Sequence, residues 1–407
     1  MRRLIFTALA LAASACAPRR LATPPPGAPD APPRLVGYLY GQGARAPAVV
    51  AALPADRITH INYAFANISP AGLMVLGSPC LDAGACDSTH ALPDTLGGKF
   101  AEIARLKAAH PRLRVLISVG GWTWSGRFSD VALTDSSRRA FASSGMELFI
   151  RRWPGLFDGF DIDWEFPVSG GLASNVTRPE DRANFTLLLA ELRRQLDEES
   201  SRTARKYTLT VALNAHAPRN GNVEFGSVTP LLDWINVMTY DFHGGSPIAN
   251  FNAPLRSPVG DPAPSYNVDS SVAMYLAAGV PAAKLVVGVP FYGRTFGGVP
   301  PERDGLLQPA NGPAPAEVTA GGMDYKAIVA KQFETKGFIR HWDAVAQVPW
   351  LYNPATGAWI TYDDEQSIRA KADFVHERAL GGVMIWQIAG DDDGRLTAAI
   401  AERLFRR

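Results

Sequence analysis

The sequence DGFDIDWE, at residues 158–165, alternates carboxylates with large apolar side chains. Side chains two positions apart in a β-strand share a face, so Asp161, Asp163 and Glu165 are predicted to lie together on one face of a strand. The other face carries Phe160, Ile162 and Trp164. Acids on the inner face of a buried strand cost free energy unless they share protons, bind a metal or take part in chemistry. The stretch therefore predicts a functional site rather than a solvated run of charge.

Seven further short runs of β-forming residues accompany this one, and stretches of helical periodicity lie between them. They occupy residues 36–40, 60–65, 115–119, 209–213, 235–240, 285–289 and 382–386. Eight alternating β and α units predict an α/β fold, a (β/α)8 TIM barrel, with its site at the carboxyl ends of the strands. An open doubly wound sheet is the alternative, but no glycine-rich phosphate-binding fingerprint follows the first strand.

The connection between predicted strands seven and eight is longer than one helix requires. Residues 297–346 are rich in Gly, Pro and Ala and include a helix-like stretch at 325–332. We therefore expect a small α+β insertion between strands seven and eight. Such insertions lie over the C-terminal face of a barrel, where this one could wall a groove.

Two chemistries could use the three acids. Carboxylates could bind magnesium or manganese, or a carboxylic acid with a raised pKa could protonate a glycosidic oxygen. Aromatic residues at the predicted strand ends favour the second chemistry, because their faces suit the apolar faces of sugar rings. These aromatic residues are Tyr38, Phe65, Trp122, Trp124, Tyr240, Tyr292 and Trp386.

The run at 158–165 resembles the DxxDxDxE signature of the family-18 glycoside hydrolases, the chitinases and their relatives. Further motifs of that family follow in the same order along the chain. They are similar to SxGG at Ser118–Gly121, MxYD at Met238–Asp241, YGR at Tyr292–Arg294 and the tryptophan of strand eight at Trp386. The resemblance covers about residues 34–400 and implies one catalytic barrel there.

The resemblance implies a role for each acid. Glu165 would protonate the leaving oxygen and later act as base toward water, while crowding of the carboxyls keeps it protonated near neutral pH. Family 18 uses substrate assistance, so the acetamido oxygen of the sugar, not a second carboxylate, would attack the anomeric carbon with overall retention. Asp163 would orient the acetamido N–H, and Asp161 would share a proton with Asp163. Asp158 has the opposite parity and is predicted to be structural.

The resemblance also implies the remaining contacts to the sugar. Tyr240 would hydrogen-bond the acetamido carbonyl, Asp241 and Arg294 would contact nearby hydroxyls, and Trp386 would stack beneath the ring. The further substrate-binding residues expected are Met238, Tyr292, Trp122, Tyr38 and Phe65. No metal and no cofactor is expected.

The implied substrate is chitin or a chito-oligosaccharide. An endo-β-N-acetylglucosaminidase acting on the chitobiose core of glycoproteins is one alternative. A sugar-binding lectin of the same fold is another, although lectins usually replace the residue that matches Glu165. A metal-dependent barrel enzyme stays open on the acids alone, whereas a purely structural lipoprotein would need no such row of acids.

The composition bounds the class of protein. The 407 residues include 40 Lys and Arg against 39 Asp and Glu, and this balance argues against a nucleic-acid partner. A charged fraction of 19%, together with 9 Trp, 11 Tyr and 19 Phe, excludes a wholly disordered chain. We expect a monomer.

The N-terminus predicts export. Two arginines precede an apolar run at 4–13, which is shorter than the roughly 20 residues that span a bilayer and suits a signal peptide. Small residues at 13–15 lead into Cys16, and this arrangement resembles the lipobox of bacterial lipoproteins. We predict a signal peptide at 1–16, a membrane anchor through lipid on Cys16 and an outer-membrane or cell-surface location. An ordinary signal peptide, with a secreted or periplasmic product, is the alternative.

Residues 17–33 are rich in proline and predict an extended tether. In an oxidising compartment the two other cysteines, Cys80 and Cys86, predict a disulfide within a loop. A pair of free thiols or a metal site is the alternative, but two thiolates alone do not fill a tetrahedral zinc site.

Overall fold

A computed structural model of the protein describes residues 32–41, 48–87, 92–216 and 221–406. The predicted signal peptide, the lipidation site at Cys16 and nearly all of the tether lie outside these residues. Along the described chain, no helix has both the length and the apolar character needed to cross a bilayer.

The strands alternate with helices over most of the described chain. The strands are β1 (Arg34–Tyr40), β2 (His60–Ile68), β3 (Met74–Val75), β4 (Arg114–Gly120), β5 (Gly159–Asp163), β6 (Thr208–Asn214), β7 (Trp234–Met238), β8 (Leu285–Pro290), β9 (Tyr292–Phe296), β10 (Met323–Asp324), β11 (Ile339–Asp343), β12 (Val348–Asn353), β13 (Ala358–Thr361) and β14 (Gly382–Trp386). The helices are α1 (Ala48–Ala51), α2 (Pro79–Ala83), α3 (Gly98–Ala109), α4 (Phe128–Leu133), α5 (Asp135–Gly145), α6 (Asp181–Thr203), α7 (Phe225–Val228), α8 (Val268–Ala277), α9 (Tyr325–Ala330), α10 (Glu365–Glu377) and α11 (Arg395–Leu404).

Eight parallel strands form a closed barrel. They are hydrogen-bonded in the order β1-β14-β8-β7-β6-β5-β4-β2, and pairing of β1 with β2 closes the ring. The short β3 adds to β2 in antiparallel orientation. The prediction of a (β/α)8 barrel is confirmed.

The parity predicted for the acidic strand is also observed. Phe160, Ile162 and Trp164 face outward and are almost fully buried against the surrounding helices. Trp164 stacks on Phe128 of α4 at 5.3 Å between ring centroids and meets the edge of Phe185 of α6. Burial of such rings supplies a large share of the apolar stabilisation and fixes the orientation of β5. The acids consequently point into the barrel.

A second, antiparallel sheet follows the C-terminal end of β8, in the order β10-β9-β13-β12-β11. The prediction placed an insertion at 297–346, whereas this sheet begins at Tyr292 and ends at Thr361. The difference arises because β9 and β13 pair with each other, so both flanks of the predicted insertion belong to the sheet. Tyr292 and Arg294 therefore lie on β9 of this second sheet, directly after the seventh barrel strand, β8.

Candidate active site

The carboxyl ends of the barrel strands surround an open cavity of about 970 Å³. Ten of the predicted site residues line it, and they come from six barrel strands, the segments that follow them, and the second sheet. They are Tyr38, Phe65, Trp122, Asp163, Glu165, Met238, Tyr240, Asp241, Arg294 and Trp386. Residues more than 300 positions apart in sequence thus meet in one cavity.

Asp161 lies beneath the cavity and does not line it. Its carboxylate is fully buried and accepts four hydrogen bonds. The donors are the hydroxyls of Tyr38 (2.6 Å), Ser118 (2.7 Å) and Thr210 (2.6 Å) and the side-chain amide of Asn236 (3.1 Å). Burial raises the pKa of Asp161, and these hydrogen bonds act in the opposite direction.

Asp163 lies between this buried carboxylate and the cavity. Its side chain is 3% exposed, and its Oδ1 atom has no hydrogen-bond partner among the described residues. Burial raises its pKa well above the usual range, and the negative charges of Glu165 and Asp161 raise it further. A buried acceptor without a partner at the edge of a cavity is suited to receive an N–H from a ligand.

Glu165 follows β5 at the first turn beyond the strand, and its backbone is fixed on both sides. Its N–H donates to Ser125 Oγ (2.8 Å), and its carbonyl accepts from Asn175 Nδ2 (3.0 Å). Ser125 is fully buried, and its hydroxyl also lies 2.9 Å from the carbonyl oxygen of Gly121. These contacts hold the Glu165 side chain at the wall of the cavity beside Asp163.

Gly120, the last residue of β4, lets this strand lie close to the end of β5. Gly120 has φ of +106°, and a Cβ atom there would collide with the carbonyl oxygen of Asp163 and with the ring of Phe128. Only glycine combines that conformation with that contact.

A charged cluster forms another part of the cavity wall. Arg294 donates to Asp241 Oδ1 through Nε (2.8 Å) and Nη2 (2.5 Å), and the Tyr292 hydroxyl donates to the same oxygen (2.8 Å). The Asp241 N–H donates to the side-chain oxygen of Asn252 (3.1 Å). Tyr292 therefore lies behind Asp241 and supports it, and does not line the cavity itself.

Tyr240 is buried between this cluster and the acids. Burial raises the pKa of its hydroxyl well above the ordinary value, and the charges of Tyr292 and Asp163 raise it further. The phenol therefore stays protonated at neutral pH and can donate a hydrogen bond into the cavity.

Aromatic rings form the apolar side of the cavity. Trp386 contacts Phe65 in a stacked arrangement (5.7 Å between centroids) and meets Tyr38 (5.5 Å) and Tyr40 (6.3 Å) at an angle. Trp122 is 47% exposed at the rim. Polar and apolar side chains that line one open cavity suit a ligand with hydroxyl edges and apolar faces, such as a sugar.

Several cavity residues were not predicted. They are Tyr40, Thr123, Phe166, Ala212, Asn214, Ala215, His216, Phe242, Gly244 and Tyr266. Tyr40 shares a strand face with Tyr38, so the alternation of β1 could have indicated it. Tyr266 lies in a long loop without periodicity, and its position against His216 (4.4 Å between centroids) arises only in three dimensions.

The two other predicted features lie apart from the cavity. Cys80 and Cys86 form the predicted disulfide, with 4.3 Å between their Cα atoms. Asp158 pairs with Lys107 (2.5 Å) and Arg205 (3.2 Å) at the opposite end of the barrel. Among the described residues, no group of three or more His, Cys, Asp or Glu side chains is arranged to hold a metal ion.

A family model described as glycosyl hydrolases family 18 matches residues 34–391. Chitinase A1 of Niallia circulans is 38% identical over 401 residues, which cover 88% of this chain and 56% of that protein. The chain thus spans little more than half the length of this relative.

Two solved structures are similar across most of the described fold. Chitinase ChiA74 from Bacillus thuringiensis has a TM-score of 0.81 and 35% identity, covering 88% of this chain and 66% of that one. A family-18 N-acetylglucosaminidase from Paenibacillus barengoltzii has a TM-score of 0.77 and 32% identity, covering 91% of this chain and 99% of that one.

Proposed function

Because this chain belongs to the glycosyl hydrolases of family 18, we propose that it is a chitinase. It would hydrolyse β-1,4-linked N-acetylglucosamine polymers or oligomers with retention. The observation that carries the proposal is the pairing of Glu165, at the cavity wall, with the buried Asp163, whose Oδ1 lacks a partner among the described residues. The similarity to a chitinase that covers 88% of the chain supports the choice of substrate.

In the proposed first step, the Glu165 carboxyl donates its proton to the glycosidic oxygen while the bond from that oxygen to the anomeric carbon breaks. The acetamido carbonyl oxygen of the same sugar forms the new bond to the anomeric carbon and gives an oxazolinium ion. In the second step, the Glu165 carboxylate takes a proton from water as the water oxygen attacks that carbon, and the bond from the acetamido oxygen to the carbon breaks, which restores the acetamido group. No protein carboxylate bonds to the sugar.

Asp163 would accept the acetamido N–H through Oδ1 and so hold the carbonyl oxygen at the anomeric carbon. In this arrangement Asp161 donates no hydrogen bond, because its two oxygens accept hydrogen bonds from all four of its partners. Its contribution would be its charge, which favours the protonated form of Asp163. This refines the expectation that the two acids share a proton.

The remaining wall would bind the sugar. Tyr240 would donate to the acetamido carbonyl, and Asp241 with Arg294 would contact hydroxyls of the ring. Trp386, backed by Phe65, would lie against the apolar face of that sugar, with Met238 beside it. Trp122, Tyr38 and Tyr40 would extend the apolar surface beyond it.

The decisive test replaces Glu165 by Gln, which keeps the shape of the side chain and removes the transferable proton. We expect turnover of a fluorogenic chitobioside to fall by about 10²- to 10⁴-fold, with the dissociation constant for a chito-oligosaccharide changed little. Glu180→Gln, an exposed carboxylate outside the cavity, is the matched control and should retain parental turnover. Comparable turnover in Glu165→Gln and the parent would refute the mechanism.

The same proteins distinguish the other candidate functions. An inactive parent that binds chito-oligosaccharides tightly would indicate a lectin. Release of glycan from a glycopeptide, without cleavage of chitin, would indicate an endo-β-N-acetylglucosaminidase. Release of single sugars only would match the activity named for the Paenibacillus barengoltzii neighbour.

Export with lipid on Cys16 and a monomeric state remain part of the proposal. Cys16 lies outside the described residues, and the support for its lipidation is the lipobox-like sequence at 13–16.

A further inference from the structure

The amino ends of the barrel strands surround a second cavity, of about 590 Å³, at the end opposite the candidate active site. Arg34 and Arg114 are the first residues of β1 and β4, and Arg205 and Lys206 lie just before β6. An adjoining recess of about 630 Å³ shares Arg34, Arg205 and Lys206. We name the two together the basal recess.

The basal recess is rich in positive charge. Six basic side chains line it, against three acidic ones. His60 also lines it but is neutral at pH 7, because its pKa is lowered to about 3. Burial is the main cause, and the charges of Arg34 and Arg114 act in the same direction. The recess therefore presents an excess of positive charge, although the whole chain is nearly neutral.

Two of the three acidic side chains of the recess, those of Asp158 and Asp233, are mostly buried (5% and 18% exposed), whereas that of Asp197 is 65% exposed and pairs with Arg193 at 2.7 Å. Asp158 is buried, receives Lys107 at 2.5 Å and accepts the Val115 N–H at 2.8 Å. Asp233 accepts the Leu209 N–H at 3.0 Å. Three of the basic side chains reach solvent: that of Lys206 is 83% exposed, that of Arg205 is 42% exposed, and Arg114 is exposed as well. Lys206 also pairs with Asp233 at 3.1 Å and Arg205 with Asp158 at 3.2 Å, so these two acids lie beneath the exposed cations. An approaching surface would meet Arg114, Arg205 and Lys206 before either of these two acids.

The N-terminal segment joins the fold at this face. Arg34 lies in the wall of the recess, and residues 17–33 connect it directly to Cys16. A chain of that length spans at most about 60 Å. The tether would therefore join the fold at this end of the barrel, opposite the candidate active site.

We propose that the basal recess docks onto an anionic lipid surface, where headgroup phosphates meet Arg114, Arg205 and Lys206. Docking in this orientation directs the active-site cavity away from the membrane, toward a polymeric substrate outside. The attraction is electrostatic and falls as salt screens it.

The test uses the full chain with Cys16→Ala, so that no acyl chain contributes. Flotation with phosphatidylcholine vesicles, with and without phosphatidylglycerol, measures binding at low and at physiological salt. We expect binding to the anionic vesicles only. The added triple substitution Arg114→Ala, Arg205→Ala and Lys206→Ala should weaken it by roughly 10- to 100-fold.

The matched control removes the same charge elsewhere, through Arg182→Ala, Arg303→Ala and Lys336→Ala, three exposed residues outside the recess. It should bind like the parent. Equal loss in both triple variants, or no binding by the parent, would overturn the proposal. Stabilisation by inorganic phosphate that needs the three basal residues, without vesicle binding, would overturn it in favour of a small-anion site. Chitobioside turnover should be unchanged in both triple variants, so failure here is separate from failure of the proposed chitinase activity.

Discussion

Asp163 shows how the candidate site trades stability for function. Its pKa is raised first by burial and then by the charges of Glu165 and Asp161. The folded protein therefore holds this proton more tightly than the unfolded chain does. That contribution to stability is fully present below the ordinary Asp pKa of 3.8 and is lost as pH rises through the folded-state value.

Asp163→Asn removes the titrating carboxyl group, so this loss of stability with rising pH should disappear. We expect the variant to be more stable than the parent at pH 7 by about 1 kcal/mol, with the difference shrinking toward pH 4, while activity falls. Thermal unfolding monitored across this pH range measures the difference. Asp56→Asn, whose side chain is 70% exposed, serves as the control. A stability difference that stays constant or grows toward pH 4 would contradict the interpretation.

At the scale of elements, the turns after β4 and β5 form one unit. Ser125 joins them, because its hydroxyl accepts the Glu165 N–H and lies within hydrogen-bond distance of the Gly121 and Asp163 carbonyls. The sequence motif predicted the glycines of the first turn and the acids of the second. Ser125, four residues beyond the SxGG motif at Ser118–Gly121, carried no such signal.

Ser125→Ala should leave the buried Glu165 N–H without its partner, at a cost of about 1–3 kcal/mol in unfolding free energy. We expect kcat to fall by roughly tenfold, because a misplaced Glu165 that raises the activation free energy by about 1.4 kcal/mol slows the reaction by that factor. KM should change little. Ser200→Ala removes a hydroxyl that donates to a helix carbonyl of α6 and should leave kcat unchanged. Steady-state kinetics and thermal unfolding of both variants give the comparison; a parental kcat in folded Ser125→Ala would show that Glu165 does not need this support.

At the scale of the whole molecule, the barrel and the second sheet meet at the cavity. The Asn252 side chain accepts the Asp241 N–H, and the Asn252 N–H donates to Thr361 Oγ1 on β13 (3.0 Å). Arg294 of β9 holds the other side of Asp241. The second sheet thus positions an acid that follows a barrel strand.

Thr361→Val keeps the shape of the side chain and removes the acceptor for the Asn252 N–H. Thr361 is 1% exposed and does not line the cavity, so an effect on substrate would have to pass through the 241–252 segment. We expect a loss of about 1–3 kcal/mol in stability and a several-fold higher KM for chito-oligosaccharides. Thr361→Ser restores the hydroxyl and should recover KM; failure of that recovery would show that the loss comes from packing instead.

The outline of the fold was accessible from the sequence because its signals are local. Alternation along 158–165 determines which side chains share a face, and eight β-rich runs separated by helices leave few topologies other than a barrel. The acids, the motif glycines and the aromatic residues at strand ends could be located for the same reason.

What the tertiary structure decided depends on contacts between distant segments. Pairing of β9 with β13 set the bounds of the second sheet and placed Arg294 in it. The four donors around Asp161 come from β1, β4, β6 and β7, whereas Asp163 Oδ1 has no hydrogen-bond partner among the described residues. The sequence by itself determined which groups can do the chemistry, because their type and spacing along one strand are covalent. Which of them is buried, charged or open to a substrate was decided only by closure of the barrel, because burial and pKa depend on neighbours that the chain brings from elsewhere.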